Sequence, residues 1–335
     1  MELASLGEFG FINRIKKAQL PHPETVAVGI GDDCAVYRTI QGMDQLVTTD
    51  MMVEGIHFDS SLLEPYWIGY RLAAANISDI AAMGGEPSQA VVSLAATMEH
   101  EVEWYTAVYE GLHACMQTYG VNLIGGDTVH TKGQVALSVT LLGQVPRGQA
   151  VLRQGAKPGD IVFVTGTLGN AQVGLESLQA GIDGYDFAKQ VHKGPKPQVR
   201  LGQLLRQEGA SSLNDVSDGL SSELNEIAKA SQVSLFLKPK DIPFHSDVRA
   251  WAKSGEGTYK SPLDYALYGG EDFQLVGTMP TASWQAWKKA HPQEPVRAIG
   301  YVKAGAPGLF IRLKEGQTRS LEAKGYNHFT RNEDK

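Results

Sequence analysis

Five stretches of the chain run from small or apolar residues into an aspartate: Gly29-Ile30-Gly31-Asp32-Asp33, Val47-Thr48-Thr49-Asp50, Asn76-Ile77-Ser78-Asp79, Ile124-Gly125-Gly126-Asp127 and Asp215-Val216-Ser217-Asp218-Gly219. A carboxylate at the end of an apolar strand, or on a helix of small residues, sits at the rim of a core. Several such carboxylates from distant segments can converge on a hard cation such as Mg²⁺, which takes carboxylate, hydroxyl, water and phosphate oxygens. Each motif alone has an ordinary reading, because Asp and Gly dominate turns and Asp caps helices; Asp218, just ahead of a helical run, could be such a cap. Asp79 resists that reading. It falls inside a helical pattern on the same face as Asn76, three residues earlier, so it meets either solvent or a ligand. One chemistry repeated in five places points to a multi-metal phosphate site.

Other candidates carry less information. Gly166-Thr167-Leu168-Gly169 joins a strand to a helix and could present backbone N–H groups to a phosphate, yet it matches neither a Walker A loop nor G-x-G-x-x-G and reads equally well as a plain turn. Arg153 could reach an anion or be solvated. His57, after Glu54-Gly55-Ile56, could be an acid, base or anion donor, or fill a surface or structural role as most of nine histidines do. Gly269-Gly270-Glu271-Asp272 precedes a strand and could border a pocket or a turn. Tyr326, in Gly325-Tyr326-Asn327-His328-Phe329, suits core packing and ligand stacking alike. Cys34 and Cys115 are far apart, with no CxxC; no G-x-S-x-G or H-E-x-x-H occurs, so nucleophilic hydrolase and zinc readings have little support.

The elements that must position these residues follow from periodicity. Strands are expected over 33–38, 45–49, 89–95, 121–124 and 134–144, with helices over 65–83 and 101–119 between them. A Gly- and Pro-punctuated connector follows over 146–160, and the domain boundary is placed there. Beyond it the pattern predicts strands at 161–165, into 215, 233–237, 273–278, 297–302 and 309–313. Helices are predicted from 170 to about 180, 198–208, 220–230 and 281–290. At 335 residues two domains are the default.

Composition excludes whole classes of function. The net charge of −7, with no Lys/Arg-rich run, argues against nucleic acid or an anionic membrane as main partner, and metal ions are expected to mediate any phosphate binding. No stretch reaches the roughly 18 apolar residues of a membrane-spanning helix, and residues 1–20 lack the apolar core of a secretory signal. Two unpaired cysteines suit a reducing compartment, and a cytoplasmic protein is expected.

Together the motifs resemble the thiamine-monophosphate kinase family, in the superfamily of aminoimidazole ribonucleotide synthetase and selenophosphate synthetase. The likeness runs nearly end to end. It includes Gly7-Glu8-Phe9, the Asp motifs, Val53-Glu54-Gly55-Ile56-His57-Phe58, Asn76 to Gly84, Gly269 to Asp272 and Gly325 to Phe329. The resemblance implies an α/β protein with α+β mixed sheets and the two-domain aminoimidazole ribonucleotide synthetase-like fold. An N-terminal mixed sheet with helices (1–146) would bind ATP and Mg²⁺ and form a homodimer, and a C-terminal α/β domain (147–335) would complete the active site. It also implies ATP-dependent phosphorylation of thiamine phosphate to thiamine diphosphate with several Mg²⁺ ions.

Carried over by position, Asp33, Thr48, Thr49, Asp50, Asp79, Asp127, Asp215 and Asp218 would bind metal. Tyr109, Gly126, Asp127, Arg153 and Ser217 would contact ATP, and His57, Glu271 and Tyr326 would meet the thiamine moiety. Met52 stands where the family often has Leu, and Phe273-Gln274 where Tyr-Glu is usual; neither is an expected ligand. No general base is expected, because the acceptor phosphate, with a second pKa of about 6, is already an ionised nucleophile near neutral pH. Two other functions fit the same motifs: a superfamily ATPase such as aminoimidazole ribonucleotide synthetase, and a non-catalytic Mg-nucleotide-binding protein.

Overall fold

The computed structural model describes residues 26–28, 32–38, 42–312 and 317–324. Tyr326 and its neighbours, Gly7-Glu8-Phe9 and Gly29-Ile30-Gly31 lie outside them. The first half forms a six-stranded sheet of β1 (Val26–Val28), β2 (Ala35–Arg38), β3 (Met43–Val53), β4 (Glu86–Ala96), β5 (Asn122–His130) and β6 (Ala136–Pro146). Their order is β1-β2-β3-β6-β4-β5, with every neighbour antiparallel except β4 and β5. Side chains along β3, β4 and β6 alternate between buried and more exposed positions, as a sheet with one covered face requires. The covering helices are α1 (Pro65–Ala82) and α2 (Val102–Thr118). They approach closely at reciprocal glycines: a Cβ on Gly69 would sit 1.8 Å from the Val108 carbonyl oxygen, and one on Gly111 would sit 1.7 Å from that of Tyr66.

The second half builds a seven-stranded sheet from β7 (Ile161–Thr165), β8 (Ser212–Asp215), β9 (Ser234–Leu237), β10 (Leu275–Met279), β11 (Val296–Lys303), β12 (Gly308–Arg312) and β13 (Thr318–Leu321), ordered β13-β12-β9-β11-β7-β10-β8. Its helices are α3 (Asn170–Gln179), α4 (Asp186–Lys193), α5 (Val199–Gln207), α6 (Leu220–Ser231), α7 (Ser246–Ser254), α8 (Pro262–Tyr268) and α9 (Thr281–Ala290). This sheet is packed on both faces, so its central strands are apolar without alternation. Val162 and Val164 enter one core with Leu224 and Ile227 of α6. Phe163, between them in sequence, enters the other with Trp284 and Trp287 of α9 and with Ala81 and Ala82 of α1. The first half's longest helix thus lies partly in the second half's core. Among the described residues no helix is long and apolar enough to cross a membrane.

Two strands differ from expectation in a way that matters for the site. The Gly125-Gly126-Asp127 stretch, expected to follow a strand ending at 124, is itself strand: β5 runs on to His130 beside β4. A Cβ on Gly126 would stand 2.0 Å from the Val92 carbonyl oxygen, so the missing side chain is what lets the strands pair there. Likewise β3 continues past Thr49 to Val53. Asp50 and Asp127 are therefore mid-strand residues, and strand alternation decides which way each points.

Candidate active site

On β3 that alternation places Thr48 and Asp50 on the covered face, under α1, and Thr49 and Met51 on the open one. The Thr48 hydroxyl donates to Asp79 Oδ2, and the Asp50 backbone N–H donates to Asn76 Oδ1 at 3.1 Å. Asn76 is completely buried and donates in turn to the Leu72 carbonyl at 2.9 Å, so its amide is fixed from the helix side. Two residues on, Ser78 donates to Asp215 Oδ2 at 2.7 Å, joining α1 to the end of β8 in the second half.

Asp33, at the entry to β2, completes the arrangement: ligand atoms of Asp33, Asp79 and Asp215 all lie within 4.8 Å of one another. The Asp33 side chain is only 2% exposed. Arg153, from the connector, donates to its Oδ1 at 2.6 Å, but its Oδ2 is buried with no hydrogen-bond partner. The neighbouring Asp32 accepts from the Arg153 backbone N–H at 3.2 Å.

The electrostatics of this cluster are unfavourable for protein alone. Burial, then repulsion from Asp33, pushes Asp50 up to about 6 and Asp215 to about 8. Burial, then Asp50, Asp215 and Asp33, pushes Asp79 well above the usual carboxylate range. Burial and Asp33 raise Asp32 to about 6. Arg153 supplies one positive charge; its own pKa is raised because Asp33 and Glu223 outweigh the cost of its burial. Converging carboxylates with a buried, unpartnered oxygen among them fit a hard divalent cation, whose charge would reverse the repulsion.

A second loop system adjoins the cluster. The 215–219 turn and the 269–274 segment are tied by backbone bonds from Glu271 N–H to Ser217 O at 2.6 Å, Phe273 N–H to Val216 O at 3.0 Å and Val216 N–H to Gln274 O at 2.7 Å. Glu271 and Phe273 both have positive φ, at 63° and 47°, a conformation that side-chain-bearing residues seldom adopt. The Glu271 carboxylate meets buried Arg71 of α1 at 2.5 Å. Asp272 turns the other way and accepts from the N–H groups of Gly169 and Ala171 at the start of α3. The Gly166–Gly169 turn is thus already occupied by an internal carboxylate, and its plain-turn reading holds. Asp218 leads into α6, whose N-cap is Gly219 without a side-chain cap bond; the Asp218 N–H donates to Glu223 Oε1 at 3.0 Å.

The remaining candidates lie elsewhere. Asp127 pairs across the sheet with Ser93, which pairs with Ser138, which pairs with Met51; that row faces the open side. The Thr49 hydroxyl, also on that side, donates to the Val139 carbonyl at 2.9 Å. Half-buried Tyr109 on α2 hydrogen-bonds Thr128, and burial raises its phenol. His57 Nδ1 accepts from the Val53 N–H at 3.0 Å, closing the turn after β3. Sequence reasoning missed Arg71, Asn214 and Glu223. Each reads as an ordinary helix or strand residue, and only burial of an otherwise exposed type singles it out.

Comparison with known proteins gives the family. Residues 31–145 match the family model of AIR synthase related protein, N-terminal domain. The chain is 41% identical to thiamine-monophosphate kinase of Bacillus subtilis over 97% of its own length and the whole of that protein. The chain belongs to the thiamine-monophosphate kinase family. The family member of Escherichia coli K12 is 37% identical over 96% of the chain and 98% of its own length. A solved structure of AaThiL complexed with AMPPCP and TMP superposes with a TM-score of 0.85 at 32% identity, covering 98% of this chain and 99% of that one.

Proposed function

We propose that this chain transfers the terminal phosphoryl group of ATP to thiamine phosphate, forming thiamine diphosphate and ADP. The observation that carries the reading is the convergence of Asp33, Asp79 and Asp215, drawn from both halves of the chain, around a buried unpartnered oxygen. The family relatives and the solved complex with AMPPCP and TMP support the choice of substrates.

In this reading Asp33, Asp50, Asp79 and Asp215 hold Mg²⁺, with Thr48 and Asp218 beside them. When bound, Mg²⁺ supplies positive charge between phosphates that otherwise repel by about 4 kcal/mol per pair of unit charges ~4 Å apart at an effective dielectric of 20. The chain's own residues set position. Asn76 and Ser78 fix Asp50 and Asp215 on either side of Asp79, and Arg153 and Ser217 face the nucleotide. Glu271, held by Arg71, would meet the thiamine moiety, a role the family resemblance also gives His57 and Tyr326. No side chain needs to accept a proton, since the acceptor phosphate arrives ionised, so catalysis is alignment and charge compensation.

The open face of the first sheet supports a homodimer. Met51 and Val91 are 57% and 38% exposed there beside the Thr49, Ser138 and Thr140 hydroxyls, a surface suited to a second copy. Asp127 stands three strands from Asp50, roughly 14 Å at ordinary strand spacing, and on the opposite face. In this reading Asp127, with Gly126 and Tyr109, serves the site of the partner copy. Incubation with thiamine phosphate, ATP and Mg²⁺ followed by chromatography tests the activity: thiamine diphosphate and ADP should form in equal amounts, and ADP without thiamine diphosphate would refute it.

A further inference from the structure

Glu223 lies in the first turn of α6, where an acidic residue ordinarily faces water and complements the helix N-terminus. Here it is 4% exposed, and both its oxygens are committed. Oε2 accepts from Asn214 Nδ2 at 2.5 Å; Oε1 accepts from the Asp218 backbone N–H at 3.0 Å and from the Ser217 hydroxyl at 3.4 Å. Asn214, itself completely buried, uses its other end to accept from Arg153 Nε at 3.2 Å, and Arg153 Nη2 donates to Asp33.

The polarity of this chain of bonds is fixed from its ends. A guanidinium only donates, and Glu223 Oε2 accepts, so the residue between them offers one acceptor and one donor, as an amide does. We propose that Glu223 is a positioning residue for the nucleotide side of the site, holding Arg153 through Asn214 and the Ser217-Asp218 turn directly; this rests on the kinase reading above.

Two acceptor oxygens, one for each donor, are what the position requires. A glutamine there satisfies Asn214 or the Asp218 N–H but not both, because its NH₂ group would face a second donor at one of them.

The test is Glu223→Gln, read by the KM of each substrate and by calorimetric affinity for MgATP. The expected result is an ATP KM and a MgATP Kd about tenfold higher, with the thiamine phosphate KM within about twofold of wild type. Asn214→Leu keeps the buried volume while removing the bridge, and it should show the same split; it carries the test if the glutamine variant does not fold. Equal changes in both KM values, or unchanged MgATP affinity in a folded variant, would overturn the proposal. If the wild-type chain forms no thiamine diphosphate, the kinase reading fails on its own, and MgATP calorimetry alone still decides the role of Glu223.

Discussion

On the covered face of the first sheet Thr48 and Asp50 look into the acid cluster beneath α1, while one residue along, on the open face, Thr49 and Met51 look outward across Ser138, Ser93 and Asp127. The two faces carry similar residue types with different physics. Under α1 the carboxylates crowd one another away from water and their pKa values rise. On the open face Asp127 is exposed, and its Oδ1 accepts from the Thr128 N–H at 2.9 Å. A cation would relieve the charge of the crowded face; the exposed face leaves its groups in water.

The largest effect should come from the covered face. Asp79→Asn removes the central carboxylate of the three, and kcat should fall by about 10²-fold or more, with loss of calorimetric Mg²⁺ binding. Retention of both would break the covered-face reading. Next comes the open face. Asp50→Asn and Asp127→Asn homodimers should each be nearly inactive, but refolding them together in equal amounts should restore about one quarter of wild-type activity, because half the dimers then carry one intact site of two. No recovery would place Asp127 in its own chain's site or outside the chemistry.

A smaller effect separates the faces by pH. Unfolded aspartate titrates near about 4, whereas folded Asp50 and Asp215 are raised to about 6 and about 8. A raised folded-state pKa contributes stability that is fully present below pH ~4 and lost as pH rises towards 8. Added Mg²⁺ should therefore raise the melting temperature of metal-free protein by several degrees more at pH 8 than at pH 5. An equal rise at both would remove the crowded acids as its cause. Smallest is a paired test of adjacent residues. Thr48→Val should raise the Mg²⁺ concentration needed for half-maximal activity, because Asp79 loses its donor. Thr49→Val should leave that concentration unchanged and cost about 1 kcal/mol of stability in denaturant unfolding.

Much of this is legible in the sequence alone. The helix carrying Asp79 runs over Pro65–Ala82 against an expectation of 65–83, and the connector between the two sheets falls at 147–160, where Pro and Gly had suggested a break. The recurrence of aspartate flagged the three carboxylates that converge, because hard-cation chemistry restricts residue type more than it restricts spacing. The facing of Asp50 and Asp127 was not legible, since it depends on how far β3 and β5 continue, and two glycines read as a break when they permit close pairing. Helices α4, α7 and α8 are as short as α5, which the pattern does show, but their few turns carry no clear apolar period and packing holds them. Glu223 and Arg71 were invisible for another reason: the partners that give them meaning, Asn214 and Glu271, stand on other elements and, for Arg71, 200 residues away.

Helix α1 acts as a gauge. Arg71 touches Glu271, Asn76 steadies Asp50, Ser78 holds Asp215, and Asp79 joins the acids. Nine consecutive residues therefore set the distances among loops that come from both halves of the chain. Because each residue advances a helix by about 1.5 Å and turns it by about 100°, one residue added between Arg71 and Asn76 would swing the later contacts to another side of the rod without weakening the helix. The length of that segment is thus as much a part of the site as any side chain on it.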